Sequence, residues 1–331
     1  MQHTVRVEGL TKKYGTVRAV SALSFTAEPG RVTGFLGPNG SGKTTTLAMV
    51  LGLARPDSGS ATIGGVPYTA LERPALTVGA SLSADFHPAH TGRAHLDIAR
   101  RAIGVPAARV DEIFELVGLS DAADRKTGGY SLGMRQRLAL GTALLGDPDV
   151  VLLDEPINGL DPEGIRWIRV LLRHLASTGK TVLLSSHLLS EVQQTVDDVV
   201  VIRRGELAFA GPLAELQRGT GEHTVLVSAP DQPGLAAALE AAQATVHGQH
   251  SGALRVTGAD PAAVGRIALA AGIPLTHLSV ETGELEQSFL DLIDGTGQHS
   301  SAAQAAAQTQ HAPTGGPAPD PTAAPSEGDH A

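Results

Sequence analysis

Residues 31–53 read RVTGFLGPNGSGKTTTLAMVLGL, and this stretch decides the fold. An apolar strand pattern, "RVTGFL", runs into Gly37–Thr44, which fits G-x-x-x-x-G-K-[ST], and then into a helical pattern, "TTTLAMVLGL". Gly37, Gly40 and Gly42 let the backbone curl so that its N–H groups converge on phosphate oxygens. Pro38, Asn39 and Ser41 complete the loop, and Thr45 follows it. The N-terminus of the helix adds a favourable field for anions. In such a loop Lys43 reaches the β- and γ-phosphates and the Thr44 hydroxyl ligates Mg2+. The competing reading is a glycine-rich turn that matches by chance; the strand before it and the helix after it argue against that.

Outward from this loop, residues 1–218 alternate short apolar strands with helical stretches, the pattern of an α/β domain. The start, "MQHTVRVEGLTKKYG", alternates like a strand. Further strands are expected at Val32–Leu36, Val150–Leu153, Thr181–Ser185, Val199–Ile202 and Leu207–Ala210, with a tight turn at Gly205. Helices are expected at Gly42–Leu51, Arg109–Val117, Leu132–Leu145 and Pro162–Ala176. Residues 219–293 read as a smaller unit in the order β-α-β-β-α-β plus a final helix, "ELEQSFLDLI", which suggests a ferredoxin-like α+β arrangement. Residues 294–331 are rich in Ala, Gln, Thr, Pro, Gly and Ser and hold almost no large apolar side chains. A segment that buries so little surface does not offset its ordering entropy, so a disordered tail is expected there.

Two further strand ends carry chemistry. In "DVVLLDEP" an apolar strand closes on adjacent acids, Asp154 and Glu155. Neighbouring strand residues point to opposite faces, but at a strand end the chain can turn both toward one cleft. Asp154 then holds Mg2+, directly or through water, and Glu155 serves as general base toward the attacking water. Taken alone, the pair reads as a solvated strand end; the phosphate loop upstream favours the functional reading. "SSH", Ser185–His187, ends another strand. A lone histidine is more often structural, but this one falls at the edge of the sheet where α/β ligand sites lie, and it can donate to a γ-phosphate.

Composition sets limits on function. The 331 residues suit about two domains, and a net charge of −9 lacks the basic footprint of a nucleic-acid binder. With no cysteine, disulfides and thiolate metal sites are excluded, which fits a reducing cytoplasm. His87 and His90 flank Pro88 and read as loop residues, while His299, His311 and His330 lack ligand spacing. The N-terminus lacks the apolar core of a signal peptide, and no run approaches the roughly 18–20 apolar residues of a membrane span.

These pieces, with "YSLGMRQRLAL" (residues 130–140) between the loop and the acidic strand end, resemble the ATP-binding subunit of ABC transporters over about residues 4–218. The resemblance implies a P-loop ABC-type ATPase domain over 1–218, with a helical subdomain and antiparallel N-terminal strands. It makes "YSLGM" the counterpart of the family's Leu-Ser-Gly-Gly-Gln signature, at the start of a helix that faces ATP held by the opposite subunit. Ser131 then donates its hydroxyl to the γ-phosphate and Gly133 lets backbone N–H approach. The alternative is an ordinary Ser-capped surface helix. Tyr130, Leu132 and Met134 depart from the usual signature, and the Ser-Leu-Gly-Met form looks like the drug- and lantibiotic-export ATPases of the bacitracin-resistance type.

Further residues follow from the same resemblance. Tyr14 in "KKYG" matches the aromatic that stacks on adenine, or else is a half-buried strand-end tyrosine. Asp161 in "NGLDP" matches an acid at the partner-subunit contact. Ser83 stands where the family has a glutamine or an acid, and Asp85, two residues on, is a possible substitute. "LEQSFLDL" is similar to a segment that closes the ATPases of type-two ABC exporters, and equally fits an amphipathic helix with Leu285, Phe289 and Leu292 on one packed face. The implied protein hydrolyses Mg-ATP between two subunits, as a homodimer, and drives a separate multi-spanning membrane permease from the cytoplasmic face of the cell membrane, with no nucleic-acid partner. The other readings are a soluble ABC ATPase of translation or DNA repair and a non-catalytic nucleotide-dependent regulator. The chain carries neither a second phosphate loop nor heptads, and Lys43, Asp154, Glu155 and His187 are all present.

Overall fold

The computed structural model describes residues 3–218, 225–250 and 253–280, together with Phe289 and Leu292. Leu285 and residues 294–331, read above as part of the closing helix and as the tail, lie outside the described residues.

The chain opens with a long hairpin, β1 (Val5–Tyr14) and β2 (Val17–Ala27), which then feeds β3 (Val32–Leu36), the phosphate-loop segment and α1 (Lys43–Val50). Next come β4 (Ser58–Ile63), α2 (Pro74–Thr77) and β5 (Val78–Ser81). Three helices follow, α3 (Gly92–Ile103), α4 (Ala108–Leu116) and α5 (Leu132–Leu144). The α/β alternation resumes with β6 (Val150–Leu153), α6 (Pro162–Ser177), β7 (Thr181–Ser186), α7 (Leu189–Val192), β8 (Asp198–Arg203), β9 (Glu206–Pro212) and α8 (Leu213–Arg218). The expected strands and helices agree with these to within one or two residues at their ends. The strand reading passed over β4 and β5, which are polar or short, and it left α3 unassigned. Yet α3 carries full end signals: Thr91 accepts from the Ala94 amide at 3.1 Å, and Gly104 closes the helix in the left-handed region.

Two sheets form the layers. β1 lies between β2 and β4 in an antiparallel sheet, while β5, β6, β7, β3 and β8 run parallel in the order β5-β6-β7-β3-β8-β9, with β9 antiparallel at the edge. The parallel strands are apolar without alternation because both of their faces are covered. Val32, Leu36, Val151, Leu153, Val182 and Leu184 pack under the helices with Leu96, Phe114, Leu138 and Leu172. Phe35, Leu152, Leu183 and Val200 point the other way, onto Leu47 of α1 and onto Val7, Leu10 and Phe25 of the antiparallel sheet. This second layer matters for function, because it clamps the hairpin against the start of α1. Every strand of the parallel set carries its following loop to one edge of the sheet.

Beyond α8, the elements are β10 (Val225–Ser228), α9 (Gln232–Ala241), β11 (Thr245–His250), β12 (Ala253–Thr257), α10 (Pro261–Ala270) and β13 (His277–Val280). Their sheet is antiparallel in the order β11-β12-β10-β13, which is the ferredoxin-like order expected from the element sequence. Val225, Val227, Leu235, Leu239, Val256 and Val264 give this unit a core of its own. Phe289 and Leu292 do not join that core. They are helical and buried among the helix-side residues of the first unit, in the cluster that holds Leu213 and Leu216 of α8. The sequence reading had placed them at the end of the smaller unit; amphipathic periodicity identifies a packed face but not the surface that receives it. Phe289→Ala is expected to destabilise the first unit by about 3 kcal/mol through the cavity it leaves. Urea unfolding followed by Trp167 fluorescence checks this, and an unchanged midpoint would show that the ring is not part of that core.

Candidate active site

Three neighbouring strands deliver the site. Gly37 follows β3, Asp154 follows β6 and His187 follows β7, and the sheet order sets these three strands side by side. The loop from Gly37 to Thr44 is pressed tightly against its surroundings. A Cβ on Gly37 would lie 2.4 Å from the Ile202 carbonyl oxygen, and one on Gly42 would lie 2.3 Å from that of Ala19. Gly42 also has φ +106°, a conformation that L side chains rarely adopt. It caps α1 without any side-chain hydrogen bond, which leaves the first amides of the helix to an anionic ligand.

The functional side chains converge at the mouth of this loop. Lys43 is only 5% exposed; its Nζ donates to the Gly37 carbonyl at 2.7 Å and lies 3.3 Å from Glu155 Oε1. Glu155 Oε2 meets His187 Nδ1 at 2.9 Å. The Thr44 hydroxyl donates to Asp154 Oδ2 at 2.6 Å. Asp154 Oδ1 in turn accepts from the Ser185 hydroxyl, and Ser185 Oγ accepts from the Glu155 amide at 2.9 Å. The two adjacent acids do turn into one cleft, and the backbone at Glu155 reaches φ +47° to do so. The Ser41 hydroxyl, in the loop, is buried without a hydrogen-bond partner, and the buried Glu155 Oε1 has the Lys43 ion pair but no hydrogen bond.

Thr44 Oγ1 and Asp154 Oδ2 present two hard oxygen atoms at one point, a donor pair that suits Mg2+. Among the described residues no group of three or more metal-ligating side chains forms, so a cation there would complete its shell with phosphate oxygens and water.

Tyr14 stands at the tip of the β1–β2 hairpin, 52% exposed, with Val17 opposite it at 65%. Ala19, two residues further along β2, touches Gly42, so the tip stands beside the phosphate loop. The ring is exposed and not the half-buried strand-end tyrosine of the alternative reading. The Lys12 ammonium lies 5.4 Å from its centroid.

The remaining candidates lie together elsewhere on the chain. Ser131 caps α5 by accepting from the Met134 amide at 3.2 Å, and its hydroxyl proton is not used in that bond. Asp161 caps α6, accepting from the Gly164 amide at 2.7 Å. A Cβ on Gly133 would lie 3.6 Å from the Leu160 side chain, so the "YSLG" and "NGLDP" segments are in contact. Gln136, to which the sequence reading assigned no role, reaches from α5 to the Glu155 carbonyl at 3.3 Å. Among the described residues no hydrogen bond or ion pair joins Ser131 or Gly133 to the Gly37–Thr45 loop. Ser83 and Asp85 are exposed on the segment after β5 and line a groove with Leu51, Leu53, Tyr68 and Phe86. His95 also borders this groove, and burial pushes its pKa down. His87 and His90 are exposed and meet ring to ring in a tilted pair, with centroids 4.6 Å apart.

Comparison with known proteins fits this geometry. The ABC transporter family model matches residues 20–158, and a model for a domain of unknown function matches residues 223–286. The chain is 39% identical over 222 residues to the bacitracin transport ATP-binding protein BcrA of Bacillus licheniformis, covering 66% of this chain and 72% of that one. It is 39% identical over 231 residues to the Nod factor export ATP-binding protein I of Burkholderia orbicola (strain AU 1054), covering 68% and 76%. An ABC transporter ATP-binding protein of Bacillus subtilis (strain 168), YcbN, aligns over 303 residues at 32% identity, covering 89% of this chain and 98% of its own. Among solved structures, a nucleotide-free ATP-binding cassette from an ABC transporter superposes with a TM-score of 0.56 at 25% identity, over 63% of this chain and 91% of that one. A dimeric bacterial ABC transporter cassette shares the fold with a TM-score of 0.58 at 21% identity, over 63% and 98%. With a phosphate loop, an acidic strand end and a histidine strand end at one sheet edge, and with these relatives, the chain belongs to the ATP-binding ATPase subunits of ABC transporters.

Proposed function

We propose that this chain is the Mg-ATP-hydrolysing subunit of an ABC exporter, working as a homodimer at the cytoplasmic face of the membrane on a separate multi-spanning permease. The observation that carries it is the convergence of Lys43, Thr44, Asp154, Glu155 and His187 at the ends of three adjacent strands. The loop amides from Gly37 to Thr45 bind the phosphates, and Tyr14 receives the adenine. Lys43 leaves the Gly37 carbonyl and Glu155 to meet the β- and γ-oxygens. Thr44 and Asp154 would hold Mg2+, which when bound would neutralise phosphate charge. Glu155 takes the proton of water as the water oxygen bonds to the γ-phosphorus and the bond to the ADP oxygen breaks. His187 both orients Glu155 through Nδ1 and leaves Nε2 for the γ-phosphate.

The dimer supplies what the single chain lacks. Ser131 and Gly133 stand at the start of α5, with no hydrogen bond or ion pair to their own phosphate loop among the described residues, and they complete the site from the opposite subunit. Asp161 and its loop, in contact with that helix start, carry the message across. No helix among the described residues is long and apolar enough to cross a membrane. The groove of about 350 Å3 that holds Leu51, Leu53, Tyr68 and Phe86 offers an exposed apolar seat for the permease, with Ser83 and Asp85 on its rim. The export direction and a drug- or antibiotic-like cargo draw on the bacitracin and Nod factor relatives. Residues 1–218 with Phe289 and Leu292 form the ATPase unit, and the intervening β10–β13 unit is accessory.

The test is affinity purification of the tagged full chain from gently solubilised membranes of cells that make it. A multi-spanning protein in stoichiometric yield is the expected result. Recovery alone, or with ribosomes or DNA-processing proteins, would remove the permease from the reading and leave the Mg-ATPase.

A further inference from the structure

Ser185 has no part in the mechanism above, yet it is fully buried in an apolar strand at the centre of the site. On β7, Leu183 faces the α1 side of the sheet, and Ser185, two residues on, shares that face. A hydroxyl offers one proton and two lone pairs. Here the proton goes to Asp154 Oδ1 and a lone pair takes the Glu155 amide at 2.9 Å. Asp154 Oδ2 is engaged separately by Thr44 at 2.6 Å, so both oxygens of that carboxylate are held. The Glu155 backbone sits at φ +47°, a conformation that a residue with a side chain keeps only when its surroundings impose it.

We propose that Ser185 is a positioning residue for hydrolysis: it holds the Asp154 carboxylate toward Thr44 and pins the left-handed turn that aims Glu155 at His187 and Lys43. Consecutive strand residues otherwise point to opposite faces, and this turn is what brings both acids into one cleft. Without the hydroxyl, the Glu155 amide loses its acceptor and Asp154 Oδ1 its donor. The backbone then relaxes toward the extended region and withdraws Glu155 from the reacting water. The proposal rests on the ATPase reading, so native protein and Glu155→Gln are measured beside it.

The experiment is steady-state phosphate release by the full chain, with nucleotide affinity and thermal melting measured in parallel. Ser185→Ala is expected to lower kcat about 10- to 100-fold, the scale of a misaimed catalytic group, with KM for ATP and nucleotide affinity within about threefold of native. Ser185→Thr, which keeps the hydroxyl, is expected to retain at least about half of the native kcat. A merely structural serine would show KM, affinity and kcat falling together with the melting temperature. That pattern, or a Ser185→Ala kcat within about twofold of native, overturns the proposal. So does a folded Ser185→Thr that is as slow as the alanine variant. If Ser185→Ala does not fold, Ser185→Cys, a weaker donor and acceptor of similar size, is read by the same criteria. Native protein that binds ATP without hydrolysing it would overturn the ATPase reading instead, and the positioning role with it.

Discussion

Glu155→Gln is expected to bind ATP with near-native affinity, to lose about 10²- to 10⁴-fold in turnover, and to accumulate as a dimer in ATP. Glutamine fills the volume of glutamate but cannot take a proton from water. The rest of the site stays assembled: the amide of residue 155 still donates to Ser185, and Thr44 still holds Asp154. Binding energy therefore persists while its release is blocked, and the closed dimer has no route to reopen. Phosphate release measures the first effect and light scattering in ATP against ADP measures the second. Turnover within about tenfold of native would remove Glu155 as general base.

Lys43→Met is expected to lower kcat/KM about 10²- to 10³-fold, the scale of removing one preorganised donor from a site where charge develops. Methionine preserves the stem that is packed in the loop and removes only the ammonium. Two consequences follow from the surroundings of Nζ. The phosphates lose the ammonium that meets their oxygens, and before nucleotide binds Glu155 loses the cation 3.3 Å from Oε1. Both nucleotide affinity and turnover therefore fall, which separates this variant from Glu155→Gln. Near-native ATP affinity in Lys43→Met, measured by equilibrium titration, would show that the ammonium does not reach the phosphates.

Much of this protein is legible in short windows. The glycine spacing of Gly37–Thr44 encodes a loop that only glycine can follow, and the close contacts at Gly37 and Gly42 are the physical form of that requirement. The apolar runs at Val150–Leu153 and Val182–Leu184 encode strands covered on both faces, and the structure covers both. The ferredoxin-like order of the smaller unit was legible because each of its strands and helices is separated by a turn signal. Where the windows failed, the cause was local ambiguity. α3 interleaves four charged residues and a histidine with six apolar ones, three of them alanine, and β4 is a run of small residues that becomes a strand by pairing with β1.

By itself the sequence determined the α/β class, the position of the phosphate loop and the identity of the residues that end each strand, because each of these rests on contacts or periodicities a few residues long. Tertiary structure alone decided which strand ends become neighbours, and with them the pairing of Lys43 with Glu155 and the bond from Thr44 to Asp154. It also decided that Ser185 would hold two acids from a different strand and that Phe289 and Leu292 would return to the first core. The physical reason is common to all four. A buried polar or apolar group must find its partner wherever the sheet order brings one, and sheet order is set by how whole layers pack, not by any stretch of chain read alone.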